Sequence, residues 1–347
     1  MIILISTQNH WNEPSGITSF IKDYSSKMKY NALILKRDNI VSSYYLNNKK
    51  VDDIKQIIAE IKPVIVHLHS PLDSSRYGGI INQLDEQNIP SIYFCHSSIR
   101  EEIQEETQRE KSNNPFFLQK LQAQEELFEK CSIIIFFNNH QKKIAVNDNK
   151  KWEKKSKVIY HGTEKIDQVK QKNKTEDNYK IILYCGRFAK EKGIIDLAKA
   201  YKKIATTETK LMLVGYAKES DITINIKKIL KGTNYEIKEW ISNQQELSII
   251  YQHASVVVLP SHYDSFNRTG IEALAHNTPL IVSDIPSFQE IYLNKNCATP
   301  FKKKNINSLV KAIRRTISKP KIDIFPKEYD LKTMITVIEK INKKIKL

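Results

Sequence analysis

The sequence predicts an α/β protein made of two doubly wound domains that face each other across a cleft. Three observations predict this class: short apolar runs alternate with helical segments, the runs are continuous, and the pattern restarts after a polar break. Continuous apolar runs are typical of strands buried on both faces of a parallel sheet. A chain of 347 residues also exceeds one typical hydrophobic core, so two domains are the default expectation.

The first half of the chain contains six apolar runs that we interpret as strands. They are MIILIS, NALILK, VIVHLHS, PSIYFCHS, SIIIFF and KVIYHG. The predicted helices between them are ITSFIKDYSSKMK, VDDIKQIIAEIK and a long charged stretch over residues 98–130. This alternation predicts a parallel sheet in a first domain, residues 1–165.

The polar segment EKIDQVKQKNKTEDNYK has no periodicity, and we interpret residues 166–178 as a linker. Strand and helix patterns then resume in a second domain, residues 179–320. The predicted strands are KIILYCGR, KLMLVG, YEIKEWI, SVVVLPS and PLIVSD. The predicted helices are KGIIDLAKAYKKIA, ITINIKKILKG, NQQELSIIYQHA, GIEALAH and INSLVKAIRRTI. Residues 321–347 predict a helix with an apolar face, which we expect to pack back toward the first domain.

The chain is basic, with 55 Lys and Arg against 39 Asp and Glu and a net charge of +16. Residues 301–347 hold 14 Lys and Arg against 4 Asp and Glu. Such an excess indicates anionic partners, either phosphorylated substrates, nucleic acid or an anionic membrane surface. A lysine-rich solvated surface from an AT-biased genome gives the same excess, so both interpretations stay open.

Several localisation signals are missing from the sequence. It has no apolar run of about 18 residues. Its beginning, MIILIS, lacks the basic region and cleavage site of a secretory signal. The four cysteines are far apart and form no metal-ligand spacing, which favours reduced, buried thiols. We therefore expect a cytoplasmic protein.

Ligands of open α/β sheets bind beyond the carboxyl ends of the strands, so the strand ends are the candidate site. Gly16 opens the helix after the first strand, and Ser15 is its candidate N-cap. A glycine at this position lets the backbone N–H groups of the helix N-terminus approach a phosphate. A glycine in an ordinary turn is an equally good interpretation. His67, His69 and His96 end two further strands; strand alternation lets at most some of them reach one site, and core histidines are the alternative.

The segment CGRFAKEKG places Arg187 and Lys192 between two glycines, after a predicted strand and before a helix. Arg chelates a diphosphate with two hydrogen bonds and Lys adds a point charge, whereas two solvated loop cations are the alternative. The sequence contains no Asp-x-Asp pair and no HExxH motif. We therefore expect no metal and no cofactor, with the two cations in the metal's place. The dinucleotide fingerprint GxGxxG is also absent, which counts against an NAD enzyme.

The segment SHYDSFNRTGIEALA places Asp264 and Glu272 eight positions apart between two buried strands. The segments YFCHS, VIYHGT and GRFAKEKG precede it along the chain in this order. Together the four segments resemble the retaining glycosyltransferases of the GT-B fold, family 4, or glycosyl transferases group 1. The resemblance covers nearly the whole chain. It implies a GT-B architecture of two Rossmann-like domains.

The resemblance also implies roles for individual residues. Glu272 would bind the donor ribose, Arg187 and Lys192 the diphosphate, and His96 and Asp264 would be catalytic, near the transferred sugar. The full set of implied nucleotide-sugar-binding residues is Gly16, Arg187, Lys192, Trp240, Ile241, Asp264, Phe266, Asn267, Arg268, Thr269 and Glu272.

Four positions depart from the family pattern. Asp264 stands where Glu is usual, which shortens the reach to the sugar. Asn267 replaces a common Gly, and we expect it to tolerate a positive φ. His276 and Asn277 replace a lone Gly, and Trp240 stands where Gly is frequent.

The resemblance implies a retaining, metal-independent enzyme that moves a hexose or N-acetylhexosamine from a UDP-sugar, or a GDP-sugar, to a glycan or lipid-linked acceptor. Such a bacterial enzyme of surface polysaccharide synthesis would work at the inner face of the plasma membrane. The alternatives are a catalytically inactive GT-B scaffold subunit and another two-domain sugar-phosphate enzyme. We expect no nucleic-acid partner, since only net charge favours one.

Overall fold

The computed structural model describes residues 2–8, 16–37, 44–47, 49–51, 53–107, 115–166, 179–215 and 220–346. The chain divides into two compact units, the first formed by Met1–His161 with Leu331–Leu347 and the second by Gly162–Asp330. The predicted linker lies outside the described residues apart from Ile166.

The first unit is built on an eight-stranded sheet. Its strands are β1 (Ile2–Gln8), β2 (Asn31–Arg37), β3 (Tyr44–Leu46), β4 (Lys49–Val51), β5 (Ile65–Leu68), β6 (Ser91–Cys95), β7 (Ile133–Phe136) and β8 (Ser156–Val158). Their order is β4–β3–β2–β1–β5–β6–β7–β8. The pairs are parallel except for the two that β3 makes. Every residue of β5 and β6 is buried, as the continuous apolar runs predict.

Helices connect these strands. They are α1 (Gly16–Ser25), α2 (Ile54–Ile61), α3 (Ile81–Glu86), α4 (Ile99–Thr107), α5 (Pro115–Lys130) and α6 (Asn139–Asp148). The predicted charged helix over residues 98–130 is two helices, α4 and α5, on either side of residues outside the described part. The sequence-based interpretation missed α3, α6 and the short antiparallel strands β3 and β4, because none of them carries a long apolar run.

The second unit is built on a six-stranded, all-parallel sheet. Its strands are β9 (Lys180–Cys185), β10 (Thr209–Val214), β11 (Tyr235–Lys238), β12 (Val256–Leu259), β13 (Leu280–Ser283) and β14 (Thr299–Phe301), in the order β11–β10–β9–β12–β13–β14. The direction of winding reverses between β9 and β12. That reversal is where open α/β sheets bind their ligands.

The helices of the second unit follow its strands. They are α7 (Ile194–Lys202), α8 (Asp221–Leu230), α9 (Gln244–His253), α10 (Arg268–Ala275), α11 (Pro286–Phe288) and α12 (Ile306–Thr316). A π-helical turn, Gln289–Leu293, continues α11. One core cluster consists of the apolar faces of α7, α8 and α12 packed on the sheet.

The last helix, α13 (Leu331–Lys346), belongs to the first unit. It contacts α1, and the backbone N–H of Lys29 donates to Oε1 of Glu339 at 2.9 Å. Its buried face consists of Leu331, Met334, Ile335, Ile338 and Asn342. Ile341 and Ile345, which the apolar pattern also placed on that face, are half-buried.

Candidate functional site

The loops after β9 and β12 are pressed together at the winding reversal of the second unit. Gly193 ends the loop after β9 with φ +66°, and a Cβ there would lie 1.9 Å from the carbonyl oxygen of Pro260. Only glycine satisfies both the left-handed backbone and this approach. The close packing brings the two loops, with Lys192 on one and Asp264 on the other, into contact.

Asp264 is buried, and its Oδ2 accepts three hydrogen bonds. Lys192 Nζ donates at 2.9 Å, Asn267 Nδ2 at 2.9 Å and Ser261 Oγ at 3.1 Å. The side chains of Lys192 and Asp264 are 18% and 6% exposed. The ion pair therefore fixes the ammonium group of Lys192 at the carboxyl end of the sheet. The Asp264 carboxylate also accepts hydrogen bonds from Ser261 and Asn267 of its own loop.

Asn267 caps the N-terminus of α10. Its φ is −92°, so the loop does not use the positive φ that Asn is expected to tolerate. The side chain instead accepts a hydrogen bond from the backbone N–H of Thr269 at 3.1 Å, and Thr269 Oγ1 donates to the carbonyl of Cys185 at 3.0 Å. Tyr292, in the π-helical turn, donates to the carbonyl of Asn267 at 2.6 Å. These contacts fix a helix N-terminus, which favours anions, beside the end of β9.

Glu272 lies one turn further along α10 and is held by two side chains. Tyr251 Oη donates to its Oε2 at 2.9 Å, and Arg268 Nη2 lies 3.4 Å from its Oε1. Burial, and then the charge of Glu272, raise the pKa of Tyr251. His276 stacks on Tyr251 with ring centroids 5.1 Å apart, and Asn277 takes the left-handed conformation with φ 57°. The two residues that replace the family's lone Gly thus support Tyr251 and close the helix.

The remaining predicted residues of this unit lie around the same edge of the sheet. The Arg187 side chain is 64% exposed and pairs with Glu191 at 3.0 Å. Trp240 and Ile241 are half-buried in the loop after β11. Phe266 is buried, with its ring 6.1 Å from that of Tyr329.

In the first unit, Gly16 begins α1 and His96 follows β6. A Cβ on Gly16 would meet nothing within 4 Å, so close packing does not require this glycine. Its candidate cap, Ser15, lies outside the described residues. His96 is half-buried, and its ring contacts those of Phe20 and Phe137, with centroid distances of 5.3 and 4.9 Å.

His96 is the end of a hydrogen-bonded chain of side chains that we call the histidine chain. Its members are His96, His69, Tyr24, His67 and Asn342. The distances are 3.0 Å from His96 Nε2 to His69 Nδ1, and 2.8 Å from His69 Nε2 to Tyr24 Oη. Tyr24 Oη lies 3.2 Å from His67 Nδ1, whose Nε2 lies 3.0 Å from Asn342 Oδ1.

The expectation that strand alternation separates His67 from His69 was wrong. Residues two apart on a strand face the same side, and both rings contact Tyr24. Burial lowers the pKa of His67 to about 4, and it also lowers the pKa of His69 well below the ordinary value, with the neighbouring histidines adding to the effect. Both imidazoles are therefore neutral near pH 7.

Three residues that hold these sites were missed by sequence reasoning. Tyr24, Tyr251 and Asn342 lie on helices, and each is buried. The signal for Asn342 was present, since it continues the spacing of Leu331, Ile335 and Ile338 along the buried face of α13. A polar residue at a core position of a helix indicates a buried hydrogen bond.

The described residues hold neither a candidate metal site nor a candidate membrane span. They contain no group of three or more His, Cys, Asp or Glu side chains that could hold a metal ion. Within the part of the chain that the structure covers, no helix is long and apolar enough to span a bilayer.

Residues 165–335 match the sequence model of the family Glycosyl transferases group 1. The chain is 28% identical over 204 residues to an uncharacterized glycosyltransferase of Methanocaldococcus jannaschii, a match over 55% of this chain and 52% of that protein. It is 32% identical over 145 residues to the O-antigen chain mannosyltransferase RfbU of Salmonella typhimurium, over 40% of this chain and 38% of that protein. The matches thus span about half of the first relative and less of the second.

The fold is similar over nearly the whole chain to that of HepE from Anabaena, solved in complex with UDP-glucose. The TM-score is 0.75 at 14% identity, and the match covers 99% of this chain and 100% of that one. The fold class is therefore GT-B, with two parallel-sheet α/β domains, as the sequence predicts. The site at the winding reversal of the second unit lies within the residues that match the family model.

Proposed function

We propose that this protein is a retaining, metal-independent glycosyltransferase that uses a nucleotide diphosphate sugar. The observation that carries the proposal is the pair of held groups on adjoining loops and helices of the second unit. Lys192 is fixed by Asp264, and Glu272 is fixed by Tyr251, on either side of the N-terminus of α10. A cation, a helix N-terminus and a carboxylate in this order suit a diphosphate joined to a ribose.

The diphosphate is the part of the donor that gains negative charge when the glycosidic bond breaks. We assign Lys192, Arg187 and the backbone N–H groups of residues 266–269 to it. Preorganised charges and N–H donors stabilise such a developing charge without reorganising during the reaction. Arg187 is solvent-exposed, which leaves its guanidinium able to turn from Glu191 to a phosphate.

The nucleoside is assigned to Glu272 and to the loop after β11. The Glu272 carboxylate would accept hydrogen bonds from the ribose hydroxyls, and its two holding contacts keep both oxygens in place. Trp240 and Ile241 would pack on the base. The sequence favours UDP over GDP through its resemblance alone, and the likeness to a structure solved with UDP-glucose supports the same choice.

Asp264 and His96 are assigned to the transferred sugar. In a retaining transfer of this kind, the acceptor hydroxyl bonds to the anomeric carbon on the face from which the diphosphate leaves. The hydroxyl proton passes to the departing phosphate oxygen, so no covalent enzyme nucleophile is needed. Asp264 would stabilise the positive charge that develops on the sugar, His96 would orient the sugar, and Gly16 would let α1 approach the diphosphate.

The acceptor is proposed to be a glycan or a lipid-linked saccharide in bacterial surface polysaccharide synthesis. The similarity to an O-antigen mannosyltransferase supports this class. The basic residues 301–347 suit a lipid phosphate at the inner membrane face. Binding to anionic vesicles that weakens with salt is expected; no binding at low salt would remove the membrane part of the proposal.

A scaffold subunit without catalysis is the second candidate, and the shorter Asp264 in place of Glu motivates it. The two candidates differ in donor chemistry. A transferase releases a nucleoside diphosphate only in the presence of an acceptor, whereas a scaffold releases none.

The first experiment is a thermal-shift screen with UDP, GDP, ADP and their sugar derivatives. A ligand at 100 times its Kd stabilises the folded protein by about 2.7 kcal/mol. One nucleotide should stand out, and Lys192→Ala should remove its shift while the exposed neighbour Lys190→Ala retains it. Equal, negligible shifts for all nucleotides would refute the proposal.

The same screen tests the role of Asp264. If Asp264 acts through Lys192, Asp264→Asn weakens the binding of the free nucleoside diphosphate and of the nucleotide-sugar by the same factor. If Asp264 contacts the sugar, Asp264→Asn weakens only the binding of the nucleotide-sugar.

A further inference from the structure

The histidine chain has one property that its separate hydrogen bonds do not have, namely a direction. Each bond needs one donor and one acceptor, and a neutral imidazole offers one of each. Fixing the donor at one end therefore fixes it in every bond. The chain runs from Asn342 on α13 to His96 at the end of β6.

The direction begins at Asn342. Its Oδ1 faces His67 Nε2 at 3.0 Å, and a carbonyl oxygen only accepts, so His67 carries its hydrogen on Nε2. His67 is neutral because it is completely buried and its pKa is lowered to about 4. Its Nδ1 is therefore bare and accepts from Tyr24 Oη.

The direction of the hydrogen bonds continues from His67 through Tyr24 to His69. A hydroxyl has one hydrogen, and Tyr24 has given it to His67, so its oxygen accepts from His69 Nε2 at 2.8 Å. His69 is buried and neutral, so its Nδ1 is bare and accepts from His96 Nε2 at 3.0 Å. His96 thus carries a hydrogen on Nε2, which it donates to His69.

Packing holds the members of the chain in this register. The rings of Tyr24 and His69 lie 5.9 and 4.6 Å from Phe94, and the ring of Phe20 packs against both His69 and His96, 5.9 and 5.3 Å from them. The ring of His161 lies 6.0 Å from that of His96. In such apolar surroundings a lost hydrogen bond is not replaced by water.

We propose that Asn342 and Tyr24 are positioning residues that fix the ring orientation and the proton of His96. The helix α13 thereby determines which ring nitrogen of His96, at the end of β6, carries the hydrogen. The effect on turnover rests on the proposed function, whereas the protonation pattern can be measured without any activity.

The direct test is NMR of the ring nitrogens of 15N-histidine-labelled protein at pH 7. His67, His69 and His96 should each show a protonated Nε2, with bare Nδ1 in His67 and His69. Tyr24→Phe and Asn342→Leu remove the chain's middle and its end, and either should turn the His96 signals into a tautomer mixture. Tyr44→Phe removes another buried tyrosine hydroxyl of the same unit, outside the chain, and should change nothing.

Two NMR results would overturn the inference. One is a His96 that carries its hydrogen on Nδ1 with Nε2 bare in the unaltered protein. The other is an unchanged pattern in both chain variants. Because the variants lie at different points of the chain, one of them suffices if the other fails to fold.

Kinetics tests the functional half. Each chain variant should lower kcat by about 2- to 10-fold, the range for losing one neutral hydrogen bond, with the donor KM within about 2-fold. An altered NMR pattern with unchanged kcat would show that the proton position does not affect turnover. Absence of turnover in the unaltered protein would refute the proposed function, while the NMR arm still decides the inference.

Discussion

The two units solve the problem of polar side chains at a sheet edge in opposite ways. In the second unit, Lys192 and Asp264 compensate each other through an ion pair with two added hydrogen bonds. In the first unit, His67 and His69 are buried in an aromatic cluster, and burial removes their charge. A charged site suits recognition of an anion, whereas a neutral chain suits control of one proton.

The difference also shows what holds each site. Contacts between loops and one helix fix the charged site, and backbone geometry at Gly193 makes them possible. The neutral chain joins two strands to the first and the last helix of its unit. Substitutions at the charged site should therefore change donor binding and turnover, and those in the histidine chain should change stability and proton position.

The largest expected effect is on turnover through the charged site. Lys192→Ala and Glu272→Ala should each lower kcat/KM by at least about 100-fold, since one preorganised stabilising group is worth about 10²–10³. Asp264 retains its hydrogen bonds from Ser261 and Asn267, so Lys192→Ala should still fold. Nucleoside diphosphate release is the assay, and circular dichroism checks the fold.

The controls are exposed residues of the same charge nearby, Lys190→Ala and Glu246→Ala. Near-normal turnover in Lys192→Ala or Glu272→Ala would contradict the site assignment. Equal losses in the controls would show that the assay reports net charge and not the site.

The next effect separates the two glycines that precede helices. Gly193→Ala should cost at least about 1–3 kcal/mol, because its φ of +66° is strained for Ala and its Cβ would clash with Pro260. Gly16→Ala should leave stability unchanged, since the space around its Cβ is open. Denaturant unfolding measures both; a stable Gly193→Ala would mean that the two loops can separate at little cost.

Acid should weaken the first unit through its histidines. His67 has a pKa of about 4 when folded and 6.5 when unfolded, so its stabilisation is complete above pH 6.5 and declines as the pH falls toward 4. His69 acts in the same direction. Asp73 opposes them between about pH 6 and 3.8, since burial raises its pKa to about 6.

The free energy of unfolding should fall by on the order of 1 kcal/mol per pH unit below pH 6. Each group that takes up a proton only on unfolding, or only on folding, changes it by about 1.4 kcal/mol per pH unit. Hydrogen exchange of the β5 and β6 amides at pH 7 and pH 5, corrected for intrinsic rates, is the measurement. Protection that stays constant or rises at pH 5 would contradict the neutral histidine chain.

The smallest effect concerns the hydrogen bond that Tyr251 donates to Glu272. Tyr251→Phe removes one hydrogen bond and should raise the donor KM by about 2- to 10-fold with little change in kcat. Tyr201→Phe is the matched control, since that hydroxyl belongs to a buried side chain of the same unit and donates to the carbonyl of Asn234 at 2.6 Å. It should lower stability without changing KM, and a KM rise in both would point to a general loosening of the second unit.

Sequence patterns predicted the sheets and the positions of the charged residues because both leave local signals. Buried parallel strands need continuous apolar runs, and the loop after β9 needs its glycine and its cations within a few residues. The partners were not predictable in the same way. Asp264 lies 72 residues from Lys192, and His67 lies 275 residues from Asn342.

The backbone role of Asn267 shows a second limit. Its replacement of Gly suggested a positive φ, yet the structure uses its side chain as a helix cap. Asn performs both roles, and residue type alone does not distinguish them. At Asn277, where the resemblance also leads one to expect a Gly, the backbone does occupy the left-handed region.

The return of the chain to the first unit at Leu331 has a consequence for its synthesis. The ribosome completes the whole second unit before it makes Asn342, so His67 waits for its partner. At roughly 5–20 residues per second, the wait lasts on the order of tens of seconds. During that time a nascent first unit exposes the surface that α13 covers. Translation that stops before residue 342 would therefore leave an otherwise long polypeptide with an unclosed core, open to chaperones and proteases.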